Sequence, residues 1–387
     1  MEQRLSLVAF AALAILLSGC SGPPLPFSPQ SRASPAASAR PQKSPPATID
    51  AFVPEAVRFV ESHRGLRFKQ PVKVDHLADQ EFSRRIIELQ RKDQAATERE
   101  AKLYRALGLV ERGVDVEKAE ERLLGAGVVG YYDPKTKELV VRGDTASASI
   151  RHVVVHELTH ALQDQWFGLD DSQREQTGDG ALAYTALVEG DAVRIEREYI
   201  ATLSSADRRQ LANEGSAGPP SDVPRVLIEL LAFPYVAGPS FISALTGARG
   251  QGGLDGAFRD RPAATSQILH PDRFLQGEQP RAVAEPTAAG QTFERGVLGE
   301  AELIVLLEGA VRSGGLSRDQ AHQAANGWAG DHYVAWTSGD SYCVRVRFAA
   351  RNSADVAAIT GALQKVAGAA PSASAESGDQ PVLTSCG

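Results

Sequence analysis

Apolar positions along this chain recur mainly at helical spacing, and they alternate as in β-strands over a few short stretches. The first half predicts a helix over 51–65, a strand over 71–77, charged helices over 79–124, a β-hairpin over 127–144 and helices over 153–168 and 181–200. The hairpin is indicated by a proline-containing turn between two Tyr/Val-rich runs. These elements favour a mainly helical α+β fold with a small antiparallel sheet.

The second half begins with a largely helical pattern over 201–290, with glycine- and proline-rich loops predicted at 213–222 and 248–256. Its last part predicts a helix over 299–311, a hairpin over 331–349 that turns at 338–340, and a helix over 353–368. We therefore expect a core domain over 49–325 and a small α+β region over 326–387. This region is either an appendage or the end of the same domain.

The first 48 residues lack the pattern of a folded domain. An apolar run from Leu5 to Leu17 follows Arg4 and is too short to span a bilayer as a mature helix, which is typical of a secretory signal over 1–19. Residues 20–48 are rich in proline, serine and alanine and have no apolar periodicity. Such a segment cannot bury enough surface to fold, so we expect an extended tether.

The charge of the chain argues against nucleic-acid binding, and its cysteine content is compatible with an exported protein. The formal net charge is −7 and basic residues do not cluster, so nucleic-acid binding has no support. Of the three cysteines, Cys343 and Cys386 lie near the C-terminus, where an exported protein could pair them in a disulfide. Two unpaired, buried cysteines are the alternative.

The stretch VVVHELTHALQDQWFG, residues 153–168, carries the candidate chemistry. His156 and His160 are four residues apart, so on a helix both can face one metal ion, and neutral imidazole is a good zinc ligand. Glu157 lies about 100° round the helix, near enough to a bound water to act as general base. The alternative is a solvated or core helix without metal.

A third protein ligand would leave one position of a tetrahedral zinc for water. Glu189 lies on a second predicted helix, on the apolar face that includes Leu182 and Ala186, where an unpaired glutamate is costly to bury. Glu189 is therefore the expected ligand. Asp191 is the rival ligand but points off that face, and a glutamate that simply ends the apolar stripe is the bland alternative.

Two resemblances extend these expectations. Leu17-Ser18-Gly19-Cys20 resembles the lipobox of bacterial lipoproteins, which implies cleavage before Cys20 and acylation of that cysteine. Residues 128–200 resemble gluzincin metallopeptidases, and the pattern HELTHALQDQ…EGDA…LHP is similar to that of bacterial lipoproteins generally labelled metallopeptidases without a defined substrate. The resemblance implies a zincin-like core, zinc held by the two histidines and Glu189, and a hairpin strand along which a peptide lies.

The resemblance also raises the question of which residues support the metal. In this clan a histidine or tyrosine stabilises the developing oxyanion, and His270 and Tyr235 are the candidates here, with helix capping as the alternative for His270. Thermolysin-like members carry an aspartate four residues after the third ligand, where this chain has Val193. The partner of a histidine must therefore come from elsewhere, with Asp164 and Asp191 as candidates.

His152 lies four residues before His156 and could also face the metal. Because the clan does not use that position, we interpret His152 as a structural residue or as one that contacts a residue that binds the metal.

These observations favour a membrane-tethered zinc peptidase that acts on peptides or proteins in the cell envelope. In a Gram-negative cell it would face the periplasm from the outer membrane, because Ser21 is not the aspartate that often signals inner-membrane retention. A zinc-binding assembly or chaperone-like factor with little proteolysis is the alternative, and a binding lipoprotein without chemistry is a third possibility.

Overall fold

The structure is a computed structural model that describes residues 46–91, 94–125, 128–170, 178–214, 221–370 and 372–387. The predicted signal sequence, the predicted acylation site Cys20 and residues 20–45 of the predicted tether lie outside these residues.

Two sheets and thirteen helices are formed by the described residues. The first part contains α1 (Ile49–Arg64), β1 (Lys73–Leu77), α2 (Asp79–Arg91), α3 (Gln94–Ala106), α4 (Val116–Gly125), β2 (Gly130–Asp133), β3 (Glu138–Arg142), α5 (Ala148–Phe167), α6 (Gly178–Thr202) and α7 (Ser205–Glu214). The second part contains α8 (Arg225–Arg259), α9 (Thr265–Leu269), α10 (Pro271–Leu275), β4 (Gln291–Gly296), α11 (Gly299–Arg312), α12 (Arg318–Asn326), β5 (Trp328–Ser338), β6 (Ser341–Ala350), α13 (Ser353–Ala369), β7 (Ala373–Glu376) and β8 (Val382–Cys386). The α+β class is confirmed.

The first sheet has the strand order β1-β3-β2. The predicted hairpin is present, with β2 antiparallel to β3, but β1 pairs with β3 in parallel, so the expectation of a purely antiparallel sheet is wrong. A parallel pair needs a long crossover, and here the charged helices α2–α4 supply it. β2 is an outer strand and packs against α5.

The second sheet has the order β4-β5-β6-β8-β7, and its neighbouring strands are antiparallel. Alternating residues of β5 and β6 pack on one face against α11, α12 and α13, and α3 adds Leu103 and Tyr104 to the same core. The predicted boundary at residue 326 falls inside this unit, because β4 precedes the boundary and pairs with β5. The pairing partner of an edge strand depends on long-range contacts that local sequence does not carry.

The structure joins Cys343 and Cys386 by a disulfide. The two cysteines lie directly opposite one another on the antiparallel strands β6 and β8. The disulfide therefore attaches the last strand of the chain to the middle of the second sheet.

The longest helix, α8, differs from expectation. The glycine-rich stretch 248–256 was predicted to be a loop, but only Gly250 has non-helical backbone angles (φ 61°, ψ −167°), and α8 is helical on both sides of this kink. Among the described residues α8 alone is long and apolar enough to cross a membrane. It packs along α6, and Phe241, Ile242 and Leu245 are fully buried in the core that the two helices share.

Candidate metal centre

The helix that carries both candidate histidines, α5, is buried on all sides. It begins at Ser147, whose hydroxyl oxygen accepts a hydrogen bond from the N–H of Ile150, and every residue from Arg151 to Asp164 is buried. The hairpin β2–β3, α1 and α6 surround it. The solvated helix that the sequence left open as an alternative is thus excluded.

His156, His160 and Glu189 converge at the contact between α5 and α6. Their Nε2, Nε2 and Oε2 atoms form a triangle with sides of 3.0 Å between the histidines, 3.1 Å from His156 to Glu189 and 3.4 Å from His160 to Glu189. Ligands about 2.0–2.1 Å from a tetrahedral metal are about 3.3–3.4 Å apart, so the triangle fits one face of such a tetrahedron. Each of the three side chains is at most 1% exposed.

The hydrogen-bond partners of the two histidines favour a positive charge between their Nε2 atoms and the carboxylate of Glu189. The Nδ1 atoms of His156 and His160 face acceptors, the Oε2 of Glu196 at 2.9 Å and the Oε1 of Gln163 at 3.0 Å. If each Nδ1 carries the proton, both Nε2 lone pairs point at the Glu189 carboxylate, and these atoms repel unless a cation lies between them. A proton or a metal ion would satisfy them, so the residues present fit a divalent metal.

The pKa values of this cluster follow the same logic. Burial alone would lower the pKa of His156, but the carboxylates of Glu189 and Glu196 raise it well above its ordinary value. Burial would raise the pKa of Glu189, yet His160 and His156 hold it below its ordinary value. The surroundings therefore favour an ionised Glu189 next to a positive charge.

Glu157 is fully buried beside the cluster. Its Oε2 accepts a hydrogen bond of 2.7 Å from the backbone N–H of Tyr132 on β2. The strand approaches α5 closely at Gly130, where an added Cβ would lie 2.9 Å from Val153. The first sheet thus fixes the carboxylate that the sequence identifies as the candidate base.

Tyr235 of α8 lies at the same centre. Its ring is 6.4 Å from that of His156, centroid to centroid, and nearly parallel to it. Burial, together with the nearby carboxylates of Glu189 and Glu157, raises the pKa of the Tyr235 hydroxyl well above its ordinary value. Tyr235 is therefore a protonated hydroxyl facing the site.

His270, the other candidate for stabilising an oxyanion, lies elsewhere. It joins α9 to α10, and its Nε2 is 2.7 Å from the Oε1 of Glu300, which also pairs with Arg273. The neighbouring Thr265 contacts Asp179, which is ten residues before Glu189 (189 − 179) and thus about 15 Å away along α6. His270 belongs to this second cluster. It lies at the N-cap position of α10, but its side chain makes no capping hydrogen bond, because it contacts Glu300 instead.

Asp179 is the centre of that second polar cluster. It is 2% exposed and accepts hydrogen bonds from the backbone N–H and hydroxyl of Thr265. Burial, with the carboxylates of Asp331 and Glu300 nearby, raises the pKa of Asp179 to about 8 although the bonds from Thr265 lower it. A Cβ on Gly299 would lie 1.9 Å from its carboxylate, so only glycine fits there.

The residue that orients His156 was missed by sequence reasoning. Glu196 on α6 accepts from Nδ1 of His156 with one oxygen and lies 2.6 Å from Nδ1 of His152 with the other. Val193, where the resemblance to thermolysin-like enzymes led us to look for an aspartate, instead packs against Tyr235 and Leu231. A spacing of seven residues from Glu189 places Glu196 two helical turns further on the same face, and this signal was available in the sequence.

The two aspartates proposed for that role act differently. Asp164 accepts from the Tyr132 hydroxyl and from Lys137 Nζ, and so holds the hairpin to α5 without contacting a histidine. Asp191 pairs with Arg64 at 2.6 Å and reaches His160 only through Gln163. Neither is a metal ligand in this arrangement.

Comparisons with known proteins cover only the second sheet and its helices. Residues 287–384 match a domain of unknown function (DUF8575). No curated protein and no solved structure matches the chain. The matched segment begins just before β4 and contains none of the residues of the candidate metal centre.

Proposed function

We propose that this chain is a zinc-dependent peptidase with a zincin-like core. The observation that carries the proposal is the triangle of His156, His160 and Glu189 with Glu157 beside it. Two imidazoles and one carboxylate are the ligand set of several hydrolytic zinc sites, and three protein ligands leave one position open. A structural site would more often use cysteine.

The side chains can divide the work of peptide hydrolysis. A bound zinc would supply Lewis acidity toward water and the peptide carbonyl. Glu157 would take a proton from the attacking water and return it to the amine of the leaving segment. Tyr235 keeps its proton and would donate a hydrogen bond to the oxyanion that develops on the carbonyl oxygen.

The first sheet supports a peptide or protein as substrate. β2 is an outer strand next to α5, and an extended chain could add to this edge through main-chain hydrogen bonds if α5 moved away from the buried residues Gly130–Tyr132. One of its N–H groups, that of Tyr132, already donates to Glu157. A peptide along β2 would thus run past the general base.

One observation favours the second candidate, a zinc-binding envelope factor with little proteolysis. His156, Glu157, His160 and Glu189 are each at most 1% exposed, so a polypeptide reaches them only if the surrounding helices move apart. A buried metal that joins α5 to α6 would serve stability without any such movement.

The proposed location is the bacterial cell envelope, with the chain tethered through acylated Cys20. The sequence Leu17-Ser18-Gly19-Cys20 after an apolar run supports it. Membrane fractionation of a Cys20→Ala variant tests the tether, and unchanged fractionation and processing would contradict acylation at this residue.

Glu157→Gln in the full-length protein separates the two functions. The amide is nearly isosteric but cannot accept the proton, so we expect a full zinc content and cleavage of an unfolded test protein reduced about 10²- to 10⁴-fold. Glu189→Ala is the matched variant and should lose zinc as well as cleavage. Metal analysis and a peptidase assay on the same samples provide both readouts.

Three outcomes distinguish the readings. Zinc lost from Glu157→Gln but kept by Glu189→Ala would overturn the assignment of ligand and base. Zinc bound by the wild type without cleavage across a broad panel of unfolded substrates would favour the envelope factor. Absence of zinc from the wild type, even after reconstitution, would contradict both.

A further inference from the structure

The two histidines of the metal centre have different partners behind them. Nδ1 of His156 faces the carboxylate of Glu196, whereas Nδ1 of His160 faces the neutral amide of Gln163 at 3.0 Å. Gln163 is fully buried and lies three residues after His160 on α5. A neutral partner makes an imidazole a weaker electron donor than a carboxylate partner does.

The amide of Gln163 uses both of its ends. Its oxygen accepts from His160, while its nitrogen donates to the Oδ2 of Asp191 and to the backbone carbonyl of Val188, both at 3.1 Å. A carboxylate could accept from His160 but could not donate to Asp191 or Val188. An apolar side chain of similar length could do neither. The surroundings of residue 163 thus match an amide.

Asp191, which accepts from Gln163, also belongs to a buried ion pair with Arg64. Asp191 accepts from Nε of Arg64 at 2.6 Å and from Arg194 at 2.9 Å. Arg64 is the last residue of α1, its side chain is fully buried, and it also pairs with Asp255 of α8 at 2.8 Å. Burying these charges is costly unless each is paired, so the network specifies one arrangement of the helices.

The sequence of contacts therefore runs from Arg64 through Asp191 and Gln163 to His160. Asp191 is two residues after Glu189 on α6, so the same ion pair also fixes the helix that carries the third ligand. Removing Gln163 would take from the buried Nδ1 of His160 the acceptor that it faces at 3.0 Å.

We propose that Gln163 is the positioning residue for His160, and that the buried Arg64–Asp191 ion pair holds Gln163 in place. By accepting the Nδ1 proton, Gln163 leaves the Nε2 lone pair of His160 directed at the metal position. Its neutral amide avoids placing a second carboxylate behind the ligand set. This inference rests on the proposed metal-binding function but not on peptidase activity.

The test measures metal affinity and the visible absorption of bound Co²⁺ in the full-length protein. Gln163→Met keeps the length of the side chain but removes the acceptor, so we expect Zn²⁺ and Co²⁺ to bind about 10- to 100-fold more weakly. The Co²⁺ spectrum should also change, because the imidazole is no longer fixed. Gln165→Leu, on the same helix as Gln163, is the matched control. It loses the hydrogen bonds of Gln165 to the backbone of Lys69 and Gln70, and its metal affinity should be unchanged.

Gln163→Glu separates positioning from folding. It retains an acceptor for His160 but loses the donors to Asp191 and Val188. Metal affinity should therefore fall by less than about 10-fold, while the free energy of unfolding falls because two carboxylates face each other. If metal affinity in this variant instead falls by the about 10- to 100-fold expected of Gln163→Met, residue 163 acts only through folding and the inference is overturned. This comparison remains decisive if Gln163→Met does not fold.

Two further outcomes distinguish this inference from the proposed function. Wild-type affinity and an unchanged Co²⁺ spectrum in folded Gln163→Met would overturn the inference alone. A wild-type protein that binds neither Zn²⁺ nor Co²⁺ would overturn the inference together with the proposed function.

Discussion

Gly190 of α6 and Gly238 of α8 lie backbone to backbone. A Cβ built on Gly190 would lie 2.5 Å from the carbonyl carbon of Gly238, and one on Gly238 would lie 2.2 Å from the carbonyl oxygen of Ala186. Gly190 directly follows the candidate ligand Glu189, and Gly238 comes one helical turn after Tyr235. The close crossing of the two helices therefore brings the hydroxyl of Tyr235 to the candidate metal centre.

We expect Gly190→Ala to lower the free energy of unfolding by about 1–3 kcal/mol, because the added methyl group meets rigid backbone. It should also weaken metal binding, since α6 and α8 must separate. Urea unfolding and metal titration measure the two effects. Gly247→Ala is the control: that exposed position of α8 has no atom within 4 Å of an added Cβ, and alanine there should be neutral or stabilising by up to about 1 kcal/mol. Equal stability of Gly190→Ala and wild type would contradict the close crossing.

Glu196→Gln should reduce metal affinity about 10- to 100-fold, because the carboxylate that orients His156 becomes a neutral amide. Isothermal titration with Zn²⁺ measures the change. Glu198→Gln is a matched substitution on the same helix, where the carboxylate pairs with Arg194 at a partly exposed position, and it should leave the affinity unchanged. A loss of equal size in both variants would show that Glu196 acts through general charge and not through its contact with His156.

Asp179 should make stability depend on pH. Its pKa is raised to about 8 in the folded chain from an ordinary value of 3.8, so the folded state holds a proton that the unfolded state releases. The free energy of unfolding should therefore fall as pH rises from about 4 to about 8. In Asp179→Asn this part of the pH dependence disappears, and at pH 8 the variant should be more stable than wild type by on the order of a few kcal/mol. Urea unfolding at pH 5 and pH 8 tests it, with the exposed Asp319→Asn as control, and identical slopes for Asp179→Asn and wild type would refute it.

Removal of the disulfide through Cys343→Ala and Cys386→Ala should lower the free energy of unfolding by about 2–4 kcal/mol, because the unfolded chain loses a constraint between residues 43 apart. Mass spectrometry of the non-reduced wild-type protein verifies the bond before unfolding is measured. The metal centre lies on other elements, so metal affinity should not change. Two free thiols in protein purified from an oxidising compartment would contradict the pairing.

Local sequence patterns were sufficient to predict most helices and strands and the candidate metal ligands. The helical spacing ending at Gly65, the turn at 133–137 and the spacing of His156 and His160 depend on residues close in sequence, and the structure has α1, the hairpin and α5 there. Periodicity and turn chemistry act over a few residues, so a single sequence records them. The same reasoning was only partly right at 248–256: the helix is interrupted at Gly250, but the residues on both sides of it are helical although glycine does not favour a helix.

Contacts between distant residues had to come from the tertiary structure. The sequence alone offered Asp164 and Asp191 as partners of a ligand, and the fold instead uses Glu196 for His156 and Gln163 for His160. It offered His270 and Tyr235 as candidates for stabilising an oxyanion, with helix capping as the alternative for His270. The close crossing of α6 and α8 at two glycines brings only Tyr235 to the candidate metal centre. The sequence by itself determined which side chains could bind a metal, because ligand spacing on one helix is local. The tertiary structure decided what surrounds them, because burial, hydrogen-bond partners and close helix crossings arise only when segments far apart in the chain pack together.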